Sequence, residues 1–174
     1  MKKVLMSALA LCMIASTFAQ NTTTEPTVTK TNSWLKAGIS AGLPVGNISN
    51  FSSATLGAEL SGQAMVNPHF GLGIASGYTH FFGKNGASDF GTIPLGALLR
   101  YYPTSDGFFV GSDVGYSFLT NTTGKSGGAY VKPQLGYHNY DWNVYGFYNQ
   151  VFVGSGGTDL QNVGVAAVYN IRFK

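Results

Sequence analysis

A chain of 174 residues with 10% charged side chains, 14% aromatics, 24 glycines and a mean hydropathy of +0.09 is too poor in charge for an ordinary soluble domain and not apolar enough for a bundle of transmembrane helices. The formal charge of +3 includes Lys2 and Lys3; without them it is +1 (3 − 2), and no basic run remains that would grip nucleic acid. The single cysteine, Cys12, falls in the same N-terminal stretch, which leaves the rest of the chain without disulfide or thiolate chemistry.

The first segment, residues 1–19, has the layout of a signal peptide. A basic start is followed by an apolar stretch at 4–17, and Thr17-Phe18-Ala19 offers small residues at the two positions that matter for cleavage. The apolar stretch is too short to span a bilayer core of about 30 Å. Residues 20–33 are rich in Thr, carry Pro26, and read as a flexible linker.

From residue 34 to 174 the dominant signal is a period of two. Eight runs alternate, at 35–43, 55–66, 70–82, 90–102, 108–119, 129–140, 142–153 and 160–173. The eighth is the cleanest: Val163, Val165, Ala167, Tyr169, Ile171 and Phe173 alternate with Gly164, Ala166, Asn170 and Arg172. The seventh is the least clear, because aromatics occupy both faces. Connections alternate too. Asn67-Pro68, residues 104–107 and Tyr140-Asp141 are tight, whereas 45–54, 83–89, 120–128 and 154–159 are longer and rich in Gly, Ser, Asn and Thr. About ten residues per run, at ~3.3 Å each and tilted by ~40°, span an apolar band about 25 Å tall. An even number of strands closes without an edge. The expected fold is therefore all-β, an eight-stranded antiparallel up-and-down transmembrane β-barrel, with the tight turns on the periplasmic side.

Charge decides which face meets lipid. Lys36, Glu59, Arg100, Asp113, Lys132 and Arg172 all fall on the glycine-rich face of their runs, and the opposite face carries almost no charge. In water that face would be a very large apolar patch, whereas in lipid it is required. The six charges are expected to form a paired network that plugs a narrow lumen, since isolated charges there would be costly. The functional alternative is a thin channel that favours anions, because the excess is basic. Trp34, Tyr101, Tyr102, Trp142 and Phe173, with Phe108 and Tyr140, are expected to form an interfacial girdle at the periplasmic end. Phe81, Phe82, Phe90 and Phe118 are expected to form one at the other end. Pro94 and Pro133 interrupt strands that should pair on both sides, and a β-bulge would accommodate each.

The stretch from Ile93-Pro94-Leu95 to Leu99-Arg100-Tyr101-Tyr102-Pro103, followed by residues 108–116 with Gly111 and Gly115, resembles the small outer-membrane β-barrel (porin-like) family common in Bacteroidetes. The resemblance runs from about Trp34 to Phe173. Val165, Ala167, Tyr169, Ile171 and Phe173 resemble the C-terminal signal by which such barrels are recognised for assembly, with Lys174 one residue beyond it. What the resemblance implies is outer-membrane location, contact with membrane lipid, folding by the barrel-assembly machinery, and no defined chemistry.

Catalytic or metal chemistry finds little support. His69, His80 and His138 sit on different runs without metal-ligand spacing. Nothing has the local signature of a Ser, His and acid set. The glycines of residues 71–77 have no following helix, so they are not a dinucleotide motif. The sequence implies no cofactor, no metal and no enzyme. It implies a structural or surface-interaction protein with an unidentified loop partner. A soluble periplasmic barrel binding an apolar ligand inside is the rival from another class.

Overall fold

The computed structural model describes residues 33–172 apart from 123, 125, 155 and 156, with the backbone alone described at Ser33 and Arg172. The expected leader, most of the linker and Phe173 lie outside these residues. Eight strands follow one another: β1 (Ser33–Pro44), β2 (Ser52–Met65), β3 (Phe70–Gly83), β4 (Phe90–Tyr101), β5 (Gly107–Thr120), β6 (Gly127–His138), β7 (Trp142–Phe152) and β8 (Leu160–Arg172). Each pairs antiparallel with the next, and β1 pairs with β8, which closes an up-and-down barrel. The sequence periods produce this directly. Alternate side chains stand on opposite faces of a strand, and closure leaves no row of unpaired N–H and C=O groups.

Local chemistry shapes the connections. At the end where β1 starts, Asn67 Oδ1 accepts from the N–H groups of His69 and Phe70, both at 2.8 Å. Asn139 repeats the device, accepting from Asp141 at 2.9 Å and Trp142 at 2.8 Å. A side-chain oxygen thus stands in for a backbone acceptor at two of the tight turns. At the other end, Asn85 (φ 56°) and Gly86 (φ 82°) form the tip between β3 and β4, a conformation these two residue types tolerate best. A short 3-10 helix, Gly46–Asn50, connects β1 to β2 and tucks Ile48 inward.

The expected bulges at the two prolines do not occur. On either side of Pro94 the β3–β4 register is the same, Ser76↔Leu95 and Thr79↔Thr92, and across Pro133 the β6–β7 register is the same, Val131↔Gln150 and Gln134↔Phe147. Each proline instead interrupts one ladder locally while staying paired with β5, as Pro94↔Ser117 and Ser112↔Pro133. A missing N–H removes a bond on one side only. The register shift among the described pairings falls elsewhere, between Ser52 and Ala54.

Polarity is inverted relative to a water-soluble barrel. Leu95, Val114 and Val165 are 52%, 56% and 62% exposed on the outside, whereas Arg100, Asp113 and Lys132 are 5%, 3% and 8% exposed within. Glycines on the inner face make room for the long side chains. A Cβ at Gly111 would collide with Arg100 Cδ, and one at Gly164 would meet Phe147 Cζ at 2.7 Å.

Candidate functional site

The lumen is filled in layers. At its centre Arg100 donates to Asp113 Oδ1 at 2.8 Å, and Gln134 Nε2 donates to Asp113 Oδ2 at 2.7 Å. Lys132 donates to Glu59 Oε1 at 2.6 Å and lies 4.4 Å from the centre of the Phe147 ring. The buried Asp113 carboxylate and the partly buried Glu59 carboxylate thus each face a buried cation, the condition under which burial of charge is tolerable. Strand order alone would pair Asp113 with Lys132, its register neighbour on β6. The chain instead joins Asp113 to β4 and sends Lys132 across the barrel to β2.

Lys36 lies nearer the tight turns. Its ammonium donates to the Tyr102 hydroxyl at 3.0 Å and to Asn143 Oδ1 at 3.1 Å, and Tyr102 donates onward to Gln63 Oε1 at 3.0 Å. Trp34 and Tyr102 flank it, with ring centres 5.6 and 5.5 Å away. Of the six expected lumen charges, Lys36, Glu59, Arg100, Asp113 and Lys132 therefore line the interior in these contacts, and the side chain of Arg172 lies outside the described residues.

Apolar and aromatic layers enclose the ionic one. Tyr102, Phe109, Tyr145, Phe147, Ala166 and Val168 pack together on the tight-turn side. Ile48, Phe81, Tyr130, Val151, Val153 and Leu160 pack together on the loop side, with Phe90 and Leu119 against them. Between layers the central cavity measures about 20 Å³, room for about one water. A vestibule of about 360 Å³ opens beside Lys36 and Tyr102.

The aromatics divide differently from the expected girdles. Tyr101 and Trp142 face outward, and Trp142 packs edge-on against Tyr169 with ring centres 5.2 Å apart. Tyr102 does not join them. It is 4% exposed, because one step along the pleat reverses its direction and its hydroxyl finds Lys36 and Gln63 inside. Trp34 stands on the inner face at the mouth, beside Lys36. At the opposite end Phe82 and Phe118 are outward, but Phe81 is fully buried and stacks on Phe90 at 4.7 Å. The lumen aromatics at 109, 145 and 147 escape sequence reasoning, since a filled interior and a lipid face both favour aromatic rings. Parity against Asp113 and Asn143 is the signal that finds them.

Outside the lumen, His80 Nε2 lies 3.1 Å from Asp89 Oδ2, and Gly83 N–H donates to Asp89 Oδ1 at 2.7 Å. The Asp89 carboxyl is held below the ordinary carboxyl range, first by the Gly83 N–H and then by His80. Among the described residues no group of three or more His, Cys, Asp and Glu side chains is placed to hold a metal.

No family model matches the sequence, and no curated protein is similar to it. Solved structures do share the fold. Neisserial surface protein A is similar with a TM-score of 0.55 at 14% identity, covering 84% of this chain and 99% of that one. The N-terminal β-barrel domain of Pseudomonas aeruginosa OprF gives 0.51 at 13%, covering 80% and 98%. Ail, the attachment invasion locus protein of Yersinia pestis, solved in complex with the heparin analogue sucrose octasulfate, gives 0.51 at 12%, covering 80% and 98%. At these identities the likeness is one of fold.

Proposed function

We propose that the chain is an integral outer-membrane barrel with a plugged lumen, exported by residues 1–19, and that its role is structural or surface-interacting and not catalytic. The observation that carries this reading is the inverted polarity: a closed ring of strands that is apolar outside and ionic within is stable only where hydrocarbon solvates its exterior. The resemblance to small outer-membrane barrels of the Bacteroidetes type rests on the stretch around residues 93–116. The fold shared with OprF, Neisserial surface protein A and Ail supports the same location.

The plug reading rests on layered packing. Two ion pairs and two aromatic layers fill the bore, and an apolar ligand would need a chamber of several hundred Å³ where the central cavity is about 20 Å³. The competing pore draws on the 360 Å³ vestibule and on the basic excess among the six expected lumen charges, four bases to two acids. In sequence the longer connections carry Lys84 and Lys125 against Asp89 and Asp159, two charges of each sign. A sulfated glycan of the kind bound in the Ail structure is therefore a poor fit, and neutral, amide- and hydroxyl-rich surfaces suit these loops better.

After a carbonate wash of isolated membranes the protein should stay with the lipid and, in detergent, run faster on gels unheated than boiled. A washed-off, heat-insensitive protein would refute membrane insertion. Planar bilayers holding the purified barrel should show no steady current, and sustained conductance would replace the plug with the pore.

A further inference from the structure

Among the described residues, the Tyr130 hydroxyl and Gln134 Oε1 are lumen atoms without a hydrogen-bond partner, and of the two only Tyr130 borders the central cavity. Tyr130, on β6, extends its ring past Gly115 on β5 to Gly96 on β4, where a Cβ would stand 2.6 Å from its hydroxyl. Tyr130 is 3% exposed, and its hydroxyl meets no protein donor or acceptor. A buried hydroxyl without a partner costs free energy, so native interiors rarely retain one. The same side chain borders the central cavity of about 20 Å³, whose wall also carries Thr92, Ser117, Asn162, Glu59, Asp113 and Lys132.

We infer that this cavity is a binding site for one ordered water, which ties the Tyr130 hydroxyl to polar groups on the facing strands. Size supports water, because a site needs at least about 10–15 Å³ to hold one, and this one holds little more. Chemistry supports it as well. Thr92 and Ser117 are buried hydroxyls, able like Tyr130 to donate or accept, and water satisfies both roles at once. A metal cation has less to gain, since Glu59 already faces Lys132 and Asp113 already faces Arg100. The water joins the ionic layer to the loop-side aromatic cap and completes the plug. The inference rests on the filled-lumen reading.

Two measurements on the full chain in detergent micelles test it. In nuclear magnetic resonance spectra the Tyr130 hydroxyl should show a cross-peak at the water frequency, with the sign of a contact that tumbles with the protein. Absence of that contact overturns the site. Tyr130→Phe should lower Tm by about 2–4 °C, because it removes a satisfied hydrogen bond. A raised Tm would mean a dry, unsatisfied hydroxyl and would overturn the inference, as would a Tm that changes when sodium is replaced by a bulky organic cation, the mark of an ion site. If Tyr130→Phe does not fold, the spectrum of the unaltered chain decides. Conductance in the bilayer assay would remove the plug reading separately, since neither micelle measurement depends on current.

Discussion

At the scale of single residues the lumen turns on compensation. Arg100 and Asp113 are both buried and joined at 2.8 Å, so removing one partner strands the other. Asp113→Ala should cost about 3–5 kcal/mol in urea unfolding from lipid vesicles. Replacing both with apolar residues of similar volume should recover most of that loss. An unchanged midpoint for Asp113→Ala would show that the pair contributes nothing. Asp89 provides a second test, outside the barrel wall. Its folded carboxyl ionises at lower pH than an unfolded one, so the stability it lends is present above the ordinary carboxyl range and is lost as pH falls through the folded value. Hydrogen exchange at the Gly83 amide should therefore accelerate on acidification, beyond the trend of neighbouring amides, and Asp89→Asn should abolish that acid-dependent part.

At the scale of elements, strands follow from alternation, and their ends follow from short-range hydrogen bonds. Asn139 holds the β6–β7 turn through two backbone N–H groups, so Asn139→Ala should cost about 1 kcal/mol with little change in the barrel's circular dichroism. The 3-10 helix between β1 and β2 acts as a lid, because its Ile48 joins the loop-side apolar layer. Ile48→Ala should lower stability by roughly 2–4 kcal/mol, read in the same unfolding assay, by leaving a cavity above Phe81 and Val151. The prolines illustrate the limit of element-level reading. The sequence shows that Pro94 and Pro133 break a pattern, but whether a strand bulges or simply forgoes one bond depends on what its neighbour offers. Here β5 pairs with both at full register.

At the scale of the molecule, orientation in lipid is the controlling quantity. A charge on the outer face should be penalised by depth: Val165→Arg, mid-strand, should cost about 2–4 kcal/mol in bilayers, whereas Phe108→Arg, near the strand end, should cost about 0–1 kcal/mol. Equal penalties at both positions would be incompatible with a hydrocarbon belt. The lumen answers to a different constraint, the fit of large side chains over glycine. Gly111→Ala forces Arg100 and the Leu99 carbonyl apart and should cost about 1–3 kcal/mol, with slower folding into vesicles.

By itself the sequence determined the periods: eight alternating runs, short and long connections in turn, and one face of every run nearly free of charge. These follow from each strand alone, because a pleat sends neighbours to opposite sides whatever the strand packs against. Closure of the barrel decided everything that depends on the opposite wall. It sent Lys132 to Glu59 on β2 rather than to its register neighbour Asp113. It set which groups the inward rings of Trp34, Tyr102, Phe81 and Phe90 meet, above and below the ion pairs. Alternation fixes a side chain's direction, but only the stagger of eight strands around a common axis fixes its depth, and depth selects the partner it reaches.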